Sequence, residues 1–313
     1  MTAPELTDFD ALVARHRREL QVHCYRMLGS LEEAEDLTQE TFLRAWRKRD
    51  TYAGRASLRA WLYRIATNAC LDVLAKRPRT PTPDGEIHWL QPYPDELLEK
   101  LPAGDEPGAE VVARETIELA YMVAIQHLPP RTRAVLILRD ILGWRAKDTA
   151  ELLETSVASV NSALQRAHAG LKEHLPAQRS EWSAESLSPQ DRELLDTYMR
   201  TTEQGDAEAL AATLADDVRF SMPPQPGVWR GRDAVLGGWV EGGFGDFERL
   251  GEFRCVLTWA NGRPAIANYL RKPGDDTFRP LALDVLTLAD GVITEVIAFE
   301  GRLFGAFGLP DAL

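Results

Sequence analysis

Residues 146–168, with the sequence AKDTAELLETSVASVNSALQRAH, decide the fold of the middle of the chain. The small side chain of Ala150 allows two helices to cross closely, and Val160, ten residues later, supplies a branched apolar contact from the second helix. This pattern predicts a helix-turn-helix, whose second helix enters the major groove of DNA. The turn carries Glu154 where glycine is usual, and an ordinary helical hairpin with a polar face is the alternative.

Five polar side chains remain on the outer face of the second predicted helix. They are Ser159, Asn161, Ser162, Gln165 and Arg166. Hydroxyl, amide and guanidinium groups can read base edges in the major groove or hold backbone phosphates. We therefore predict that this face binds duplex DNA.

Two amphipathic segments lie nearer the N-terminus, at 36–46 (DLTQETFLRAW) and 55–72 (RASLRAWLYRIATNACLD). The first is predicted to be a helix with a polar face of Asp36, Gln39 and Glu40. The second places basic, polar and aromatic groups outward: Arg55, Ser57, Arg59, Tyr63, Arg64 and Asn68. Bases stack on aromatic rings and arginines hold a single-stranded backbone, so Tyr63 is predicted to be an exposed stacking platform. A helical bundle with solvated charges is the alternative.

The net charge of −12 does not exclude DNA binding, because the charge is unevenly spread. A proline-rich linker at 79–112 holds 8 acidic and 2 basic residues, and residues 179–313 hold 22 acidic and 13 basic ones. The two predicted helical regions, residues 1–78 and 113–178, are nearly neutral. The 3 cysteines are too widely spaced for a disulfide framework or a metal site, so we expect no metal and no cofactor. Without a long apolar run the chain is predicted to be cytoplasmic, with no membrane partner.

The two N-terminal segments and the helix-turn-helix, in this order, resemble the extracytoplasmic-function group of the sigma-70 family. EDLTQETFLRAW looks like the core-binding helix of region 2, SLRAWLYRIATNACLD like its promoter-melting and −10 helix, and LPPRTRAVLILRDILGW like the start of region 4. The resemblance implies that Asp36, Gln39 and Glu40 bind core RNA polymerase, through its beta and beta-prime subunits. It implies that the polar face of 55–72 meets the −10 element and that the outer face of the helix-turn-helix meets the −35 duplex.

The C-terminal part, from about residue 190, resembles the SnoaL-like relatives of ketosteroid isomerase. LADDVRFSMPP, WRGRDAV and LALDVLTLADGVITEVIAF carry the likeness. It implies a cone-shaped α+β domain with an apolar pocket for a small apolar ligand. The expected lining is Phe220, Met222, Trp229, Trp239, Trp259, Tyr269 and Asp284. Asp284 is the first candidate for a buried carboxylate and Asp217 the second, but no catalytic residue is predicted because no convergent triad is visible.

The predicted organisation is therefore multidomain, with two all-α domains and one α+β domain. The expected boundaries are sigma region 2 at 6–78, an acidic linker at 79–112, sigma region 4 at 113–176 and a regulatory SnoaL-like domain at 189–313. The linker either threads polymerase channels as a polyanion mimic or is a solvated spacer. The acidic C-terminal domain is expected to dock on basic faces of the other two.

Two other functions remain open from the sequence. A one-component repressor would use the C-terminal pocket as a ligand sensor and would never bind polymerase. An isomerase or cyclase of the SnoaL-like type would carry the helical part as a DNA-binding appendage. The 36–46 segment favours the sigma factor over the repressor, because a repressor has no need of a core-binding helix.

Overall fold

The structure is a computed structural model that describes residues 9–52, 57–77, 79–81, 87–99, 117–175 and 187–313. These residues form two compact units. The first draws on Met1–Gln91 and Leu97–Gln178, and the second on Pro92–Glu96 and Arg179–Leu313.

The first unit opens with three helices, α1 (Phe9–Leu28), α2 (Leu31–Arg47) and α3 (Leu58–Lys76), which pack on one another. Gly29 ends α1 at a φ of 71°, a left-handed conformation that glycine adopts without strain. Serines begin the next two helices: Ser30 accepts a hydrogen bond from the backbone of Glu33, and Ser57 accepts one from Ala60. A one-turn helix, α4 (Glu96–Glu99), follows at the end of the described linker.

Four further helices of the first unit lie within the described residues 117–175. They are α5 (Leu119–Gln126), α6 (Pro130–Leu136), α7 (Ala146–Leu152) and α8 (Val157–His174). Pro130 stands at the start of α6, where its missing N–H costs nothing, and a π-helical turn (Ile137–Ile141) continues that helix. The two helices of the predicted helix-turn-helix, α7 and α8, are confirmed.

Arg133 joins the two sets of helices from inside the core of the first unit. Its side chain is only 2% exposed and donates to the carbonyls of Ile125 (2.8 Å), Gln126 (2.8 Å), Leu128 (3.1 Å) and Met27. Met27 lies at the end of α1, whereas the other acceptors follow or end α5. Burial lowers the pKa of Arg133 to about 9, so the cation is held at neutral pH by these helix-end carbonyls.

The second unit is an α+β fold with three helices and a mixed sheet of six strands. The helices are α9 (Pro189–Gln204), α10 (Ala207–Ala211) and α11 (Arg232–Glu241). The strands are β1 (Leu214–Ser221), β2 (Val228–Arg230), β3 (Glu252–Ala260), β4 (Arg263–Arg271), β5 (Arg279–Ala289) and β6 (Val292–Glu300), followed by a 3-10 helix at Gly301–Phe307. The strand order is β2-β1-β6-β5-β4-β3, and only β1 and β6 are parallel. The predicted α+β class is confirmed.

One face of the sheet packs against α9 and α11 around a single apolar core. Leu195 and Tyr198 of α9, Val235 of α11, and Leu286 and Val296 of the sheet are each at most 2% exposed in that core. Successive side chains of β5 and β6 point to opposite faces of the sheet, and four consecutive residues are buried in the middle of each strand, so both faces are covered there.

Residues Pro92–Glu96 of the predicted linker belong to the second unit. Tyr93 pairs with Asn261, donating its N–H to the side chain at 2.7 Å and accepting one from the backbone at 2.9 Å. The carboxylate of Asp95 accepts from the N–H of Gly262 at 3.0 Å, and Pro94 bridges to Ala260. The linker is thus attached to the turn between β3 and β4.

The described part of the linker is not a solvated spacer. Ile87, Leu90 and Tyr93 are at most 5% exposed, and the backbone N–H of Gln91 donates to Gly29 in the first unit. Linker residues 82–86 and 100–112 lie outside the described residues.

Candidate nucleic-acid interface and ligand cavity

The helix-turn-helix has the predicted geometry. Ala150 on α7 and Val160 on α8 are 5% and 0% exposed, so they form the contact at which the helices cross. Glu154 occupies the turn with a φ of 52°, the left-handed conformation that explains why glycine is usual there. Ser156 then caps α8 by accepting from the backbone of Ser159 at 3.1 Å.

All five residues predicted to read DNA lie exposed on α8. They are Ser159, Asn161, Ser162, Gln165 and Arg166. Arg166 makes no ion pair with any residue in the part of the chain that the structure describes. Its charge is therefore available for a phosphate or a base edge.

The predicted polymerase-binding residues share one face of α2. Asp36, Gln39 and Glu40 are spaced by three and four residues, so they lie on adjacent helical turns. Asp36 and Gln39 are exposed, whereas Glu40 is half-buried and forms an ion pair with Arg44 at 2.7 Å. The face therefore carries carboxylate and amide acceptors for basic or amide donors of a partner.

The predicted −10 face of α3 is only partly open. Arg59, Arg64 and Asn68 are exposed, and Ser57 is exposed while capping the helix. The guanidinium of Arg64 donates to the backbone carbonyl of Glu151 at 3.1 Å. Arg55 lies outside the described residues.

The prediction that Tyr63 is an exposed aromatic was wrong. Its side chain is 1% exposed, because the ring packs edge-on against His23 at 4.9 Å and against Trp144 at 5.7 Å. Trp144 lies between α6 and α7, far along the sequence, so no local pattern could have revealed this cover. Trp61, two residues earlier on α3, is half-buried.

Glu19 of α1 holds the basic end of this face in place. Its carboxylate accepts from Arg59 at 2.8 Å, from the hydroxyl of Tyr63 at 3.2 Å and pairs with His16 at 2.5 Å. Burial raises the pKa of Glu19, but the hydrogen bonds from His16 and Arg59 outweigh burial and hold it below its ordinary value. Arg59 is thereby fixed over the Tyr63 ring, 5.1 Å from its centre.

The second unit contains a cavity of about 450 Å³ between its helices and its sheet. Its lining is mainly aromatic and aliphatic, with Phe220, Met222, Trp229, Trp239, Phe244 and Phe253 among the large side chains. The volume lies in the range of small-molecule sites, and its apolar walls favour an apolar ligand.

Asp284 is the buried carboxylate of this cavity. It is 8% exposed, and one of its oxygens, Oδ2, accepts from Asn268 at 2.7 Å and from the hydroxyl of Tyr198 at 3.1 Å. Burial raises the pKa of Asp284 to about 6, although both hydrogen bonds lower it. Burial also raises the pKa of Tyr198 well above its ordinary value, so this phenol stays protonated and donates.

Two of the residues predicted to line the cavity lie elsewhere, and so does the second candidate for its carboxylate. Tyr269 points to the opposite face of β4 from Asn268, where its hydroxyl donates to the carbonyl of Pro310 at 2.9 Å. Trp259 packs against the core near the β3–β4 turn without lining the cavity, and Asp217 is exposed on β1. The other predicted lining residues, including Asp284, do line it.

The sequence analysis did not single out the two residues that hold Asp284. They are Tyr198 of α9 and Asn268 of β4, which both donate to its carboxylate. A buried amide flanked by apolar residues was the available signal, because such a group requires a hydrogen-bond partner. Asn268 satisfies both ends of its amide, accepting from the Cys255 thiol at 3.3 Å and donating to Asp284.

Neither a metal centre nor a membrane span was found in the part of the chain that the structure describes. No group of three or more metal-ligating side chains occurs among those residues. None of their helices combines the length and the apolar character needed to cross a bilayer.

Comparisons with known families agree with the order of these features. The family models for Sigma-70 region 2, for Sigma-70 region 4 and for the SnoaL-like domain match residues 12–80, 118–169 and 195–296. The ECF RNA polymerase sigma factor SigG of Mycobacterium tuberculosis is 40% identical over 98% of this chain and 85% of its own length. This chain belongs to the ECF RNA polymerase sigma factors.

A second relative shows how far the likeness of this ECF sigma factor extends. SigJ of Mycobacterium tuberculosis is 32% identical over 74% of this chain and 71% of its own length. The crystal structure of SigJ covers 97% of this chain and all of its own, with a TM-score of 0.59 at 24% identity. The likeness to that crystal structure concerns the fold alone.

Proposed function

We propose that this ECF sigma factor binds core RNA polymerase and both promoter elements through three helix faces, and that its SnoaL-like unit modulates the result. As a member of its family it directs promoter recognition and transcription initiation. Because core polymerase is the partner, the cytoplasm is the proposed compartment.

The acidic face of α2 is the proposed contact with the beta and beta-prime subunits. Asp36 and Gln39 are exposed there, and the charge of Glu40 is already shared with Arg44. An arginine of the partner can bind this face, because its planar guanidinium donates two hydrogen bonds to a carboxylate. We expect Asp36 to carry most of the available negative charge of the face.

The N-terminal half of α3, with the preceding residues, is the proposed contact with the −10 element. Arg59, Arg64 and Asn68 are exposed, and Ser57 caps the helix. Arg55 and Tyr63 belong to the same proposed contact, although Tyr63 is covered by Trp144 in this conformation. Binding a base against Tyr63 therefore requires α7 and the preceding loop to move away from α3.

The single observation that carries the proposal is the exposed polar face of α8 on a well-packed helix-turn-helix. Ser159, Asn161, Ser162, Gln165 and Arg166 are the proposed −35 contacts. Arg166 has no competing carboxylate among the described residues, so it pays no cost of breaking an ion pair when it meets DNA. Its neighbours supply hydroxyl and amide groups suited to base edges.

The test is transcription by core RNA polymerase on fragmented genomic DNA of the source organism, with transcript starts mapped by sequencing. We expect the added chain to create start sites that share two upstream sequence boxes. Identical start sites with and without the chain would refute the proposal. Co-purification with core polymerase, and its loss in Asp36→Arg, tests the α2 contact separately.

Modulation by the SnoaL-like unit is supported by its attachment to the linker. Pro92–Glu96 is held by the β3–β4 turn, and the same linker joins the two sigma regions along the chain. A change in the second unit therefore acts on the covalent connection between the −10 and −35 modules. Docking of the acidic second unit on the sigma modules remains part of the proposal, by charge complementarity.

Asn261→Ala tests this attachment, because it removes the side-chain acceptor for Tyr93 and the residue best suited to a φ of 53°. We expect an altered transcript yield at unchanged start sites. Asp276→Ala, at an exposed position of the β4–β5 loop, is the matched control. Equal yields from the two variants would exclude control through the linker.

A small apolar ligand is the proposed occupant of the cavity, and we propose that the second unit binds it without converting it. Asp284 and Tyr198 nevertheless form a carboxylate–phenol pair that general acid–base chemistry can use. Turnover of a hydrophobic ketone or epoxide, abolished in Asp284→Asn, would establish an isomerase or cyclase instead. A repressor would bind DNA with no dependence on polymerase core.

A further inference from the structure

The charged side chains that line the cavity are all acidic among the described residues. Among the described residues that line it, none is lysine, arginine or histidine, and the acidic ones are Asp284 and Glu300. Glu300 is half-exposed and already forms an ion pair with Arg302 at 2.5 Å. Asp284 is therefore the carboxylate that lacks a positive partner.

Half of the hydrogen-bonding capacity of Asp284 is unused. Both of its protein donors, Asn268 and Tyr198, contact the same oxygen, Oδ2. Oδ1 takes no hydrogen bond from the residues within the described ranges. Oδ1 therefore keeps its capacity to accept a hydrogen bond from a ligand in the cavity, which Asp284 lines.

The remaining walls suit a positive charge as well as an apolar body. Phe220 packs against Trp229 and Trp239, with ring centres 5.4 Å apart in both pairs, and Trp239 contacts Phe244 at 6.5 Å. The faces of such rings carry negative charge and attract cations, most strongly at tryptophan. An anionic ligand would meet repulsion from Asp284 and from these faces.

We propose that the cavity binds an apolar amine in its protonated form, whose N–H donates to Oδ1 of Asp284 while its hydrocarbon part lies among the tryptophans. This assignment rests on the proposed ligand-binding role of the second unit and names the chemical class of the ligand. The amine supplies the positive charge and the donor that the protein leaves out. The apolar part of the amine packs against cavity walls that carry few polar groups.

Binding of three naphthalene probes of one shape to the full-length protein tests the assignment. The probes are 2-naphthylmethylamine, 2-naphthylmethanol and 2-naphthoate, with titration calorimetry as the measurement and quenching of tryptophan fluorescence as a second readout. We expect the amine to bind at least about tenfold more tightly than the alcohol, and the carboxylate to bind least. Equal affinities for amine and alcohol, tightest binding of 2-naphthoate, or no binding of any probe would overturn the assignment.

Two variants locate the charge that is recognised. In Asp284→Asn the preference for the amine should fall below about threefold while the affinity for the alcohol stays the same, which also shows that the cavity is intact. In Glu300→Gln the preference should persist, since that carboxylate is paired with Arg302. A preference that survives Asp284→Asn, or that disappears in Glu300→Gln, contradicts the assignment.

The sigma function is tested without any amine, by transcription with the wild-type chain and core polymerase. A failure of that assay leaves the binding data standing, and equal affinities for the probes leave the promoter-directed transcripts standing. The two conclusions therefore fail separately.

Discussion

Replacing Asp284 with asparagine should stabilise the protein at neutral pH. The substitution keeps the size of the side chain and offers a carbonyl oxygen to the same two donors, Asn268 and Tyr198. It removes a buried charge that has no positive partner in the cavity. A site kept for binding rather than for folding is expected to show this cost, because stability and function are often traded at such positions.

The size of this stabilisation follows from the pKa of Asp284. Asp284 is shifted from 3.8 to about 6 by burial, and each pKa unit corresponds to about 1.4 kcal/mol, so the charged form costs the folded state at most about 3 kcal/mol. The folded state holds its proton more tightly than the unfolded state, so the cost is fully present above pH 6. It decreases as pH falls from 6 towards 3.8 and is absent below that range.

Urea unfolding of the full-length variants at pH 7.5 and pH 5 measures this effect. Hydrogen exchange of peptides that cover β5 then assigns the change to the second unit. We expect Asp284→Asn to gain about 1–3 kcal/mol at pH 7.5 and roughly half of that gain at pH 5. The exposed Asp217→Asn on the same sheet is the matched control and should show neither effect.

Other groups near Asp284 do not produce this pattern. Burial raises the pKa of Tyr198 and of Cys255, so both remain neutral over the range tested. Glu203 accepts a hydrogen bond from the backbone of Cys255. Glu203 and Glu300 are present in both the wild-type chain and Asp284→Asn, so they do not account for a difference between the two. A destabilised Asp284→Asn, or a gain that does not depend on pH, would refute the reasoning.

Three further predictions concern the first unit. Arg166→Ala should lower promoter-directed transcription by about tenfold or more, because a phosphate or base contact is lost, while Arg279→Ala at the exposed first residue of β5 leaves it unchanged; equal activities would remove the proposed role of α8. Arg133→Met should cost about 3–5 kcal/mol in urea unfolding, since it leaves the carbonyls at two helix ends without their charged donor; a cost below about 1 kcal/mol would show that this contact is not needed. Trp144→Ala should raise the hydrogen exchange of the α3 segment around Tyr63, and unchanged protection would show that the cover comes from elsewhere.

Local patterns predicted the elements whose contacts are close in sequence. The crossing of α7 and α8 depends on Ala150 and Val160, ten residues apart, and both were identified from spacing. β5 and β6 are likewise consecutive in the chain and pair across the turn at Asp290 and Gly291. By contrast, β2 has three residues, too few for an alternating pattern to be visible.

Side-chain placement failed where the partner was distant in sequence. Tyr63 has the helical position of an outward residue, yet Glu19, His23 and Trp144 converge on it from two other parts of the first unit. Tyr269 was assigned to the cavity by its type, but a strand turns neighbouring residues to opposite faces, and Asn268 takes the inward position. This difference of one residue along β4 decides that Asn268, and not Tyr269, donates to Asp284.

The β3–β4 hairpin connects the ligand cavity with the linker. Phe253 of β3 and Asn268 of β4 line the cavity, while Ala260 and Asn261, at the far end of the same hairpin, hold Pro92–Glu96. The two strands pair in continuous register from Glu252 to Ala260. Five residues separate Asn268 from Arg263, which corresponds to roughly 17 Å of extended strand. A ligand bound beside Asp284, as we propose, therefore lies near one end of a hairpin whose other end holds Pro92–Glu96.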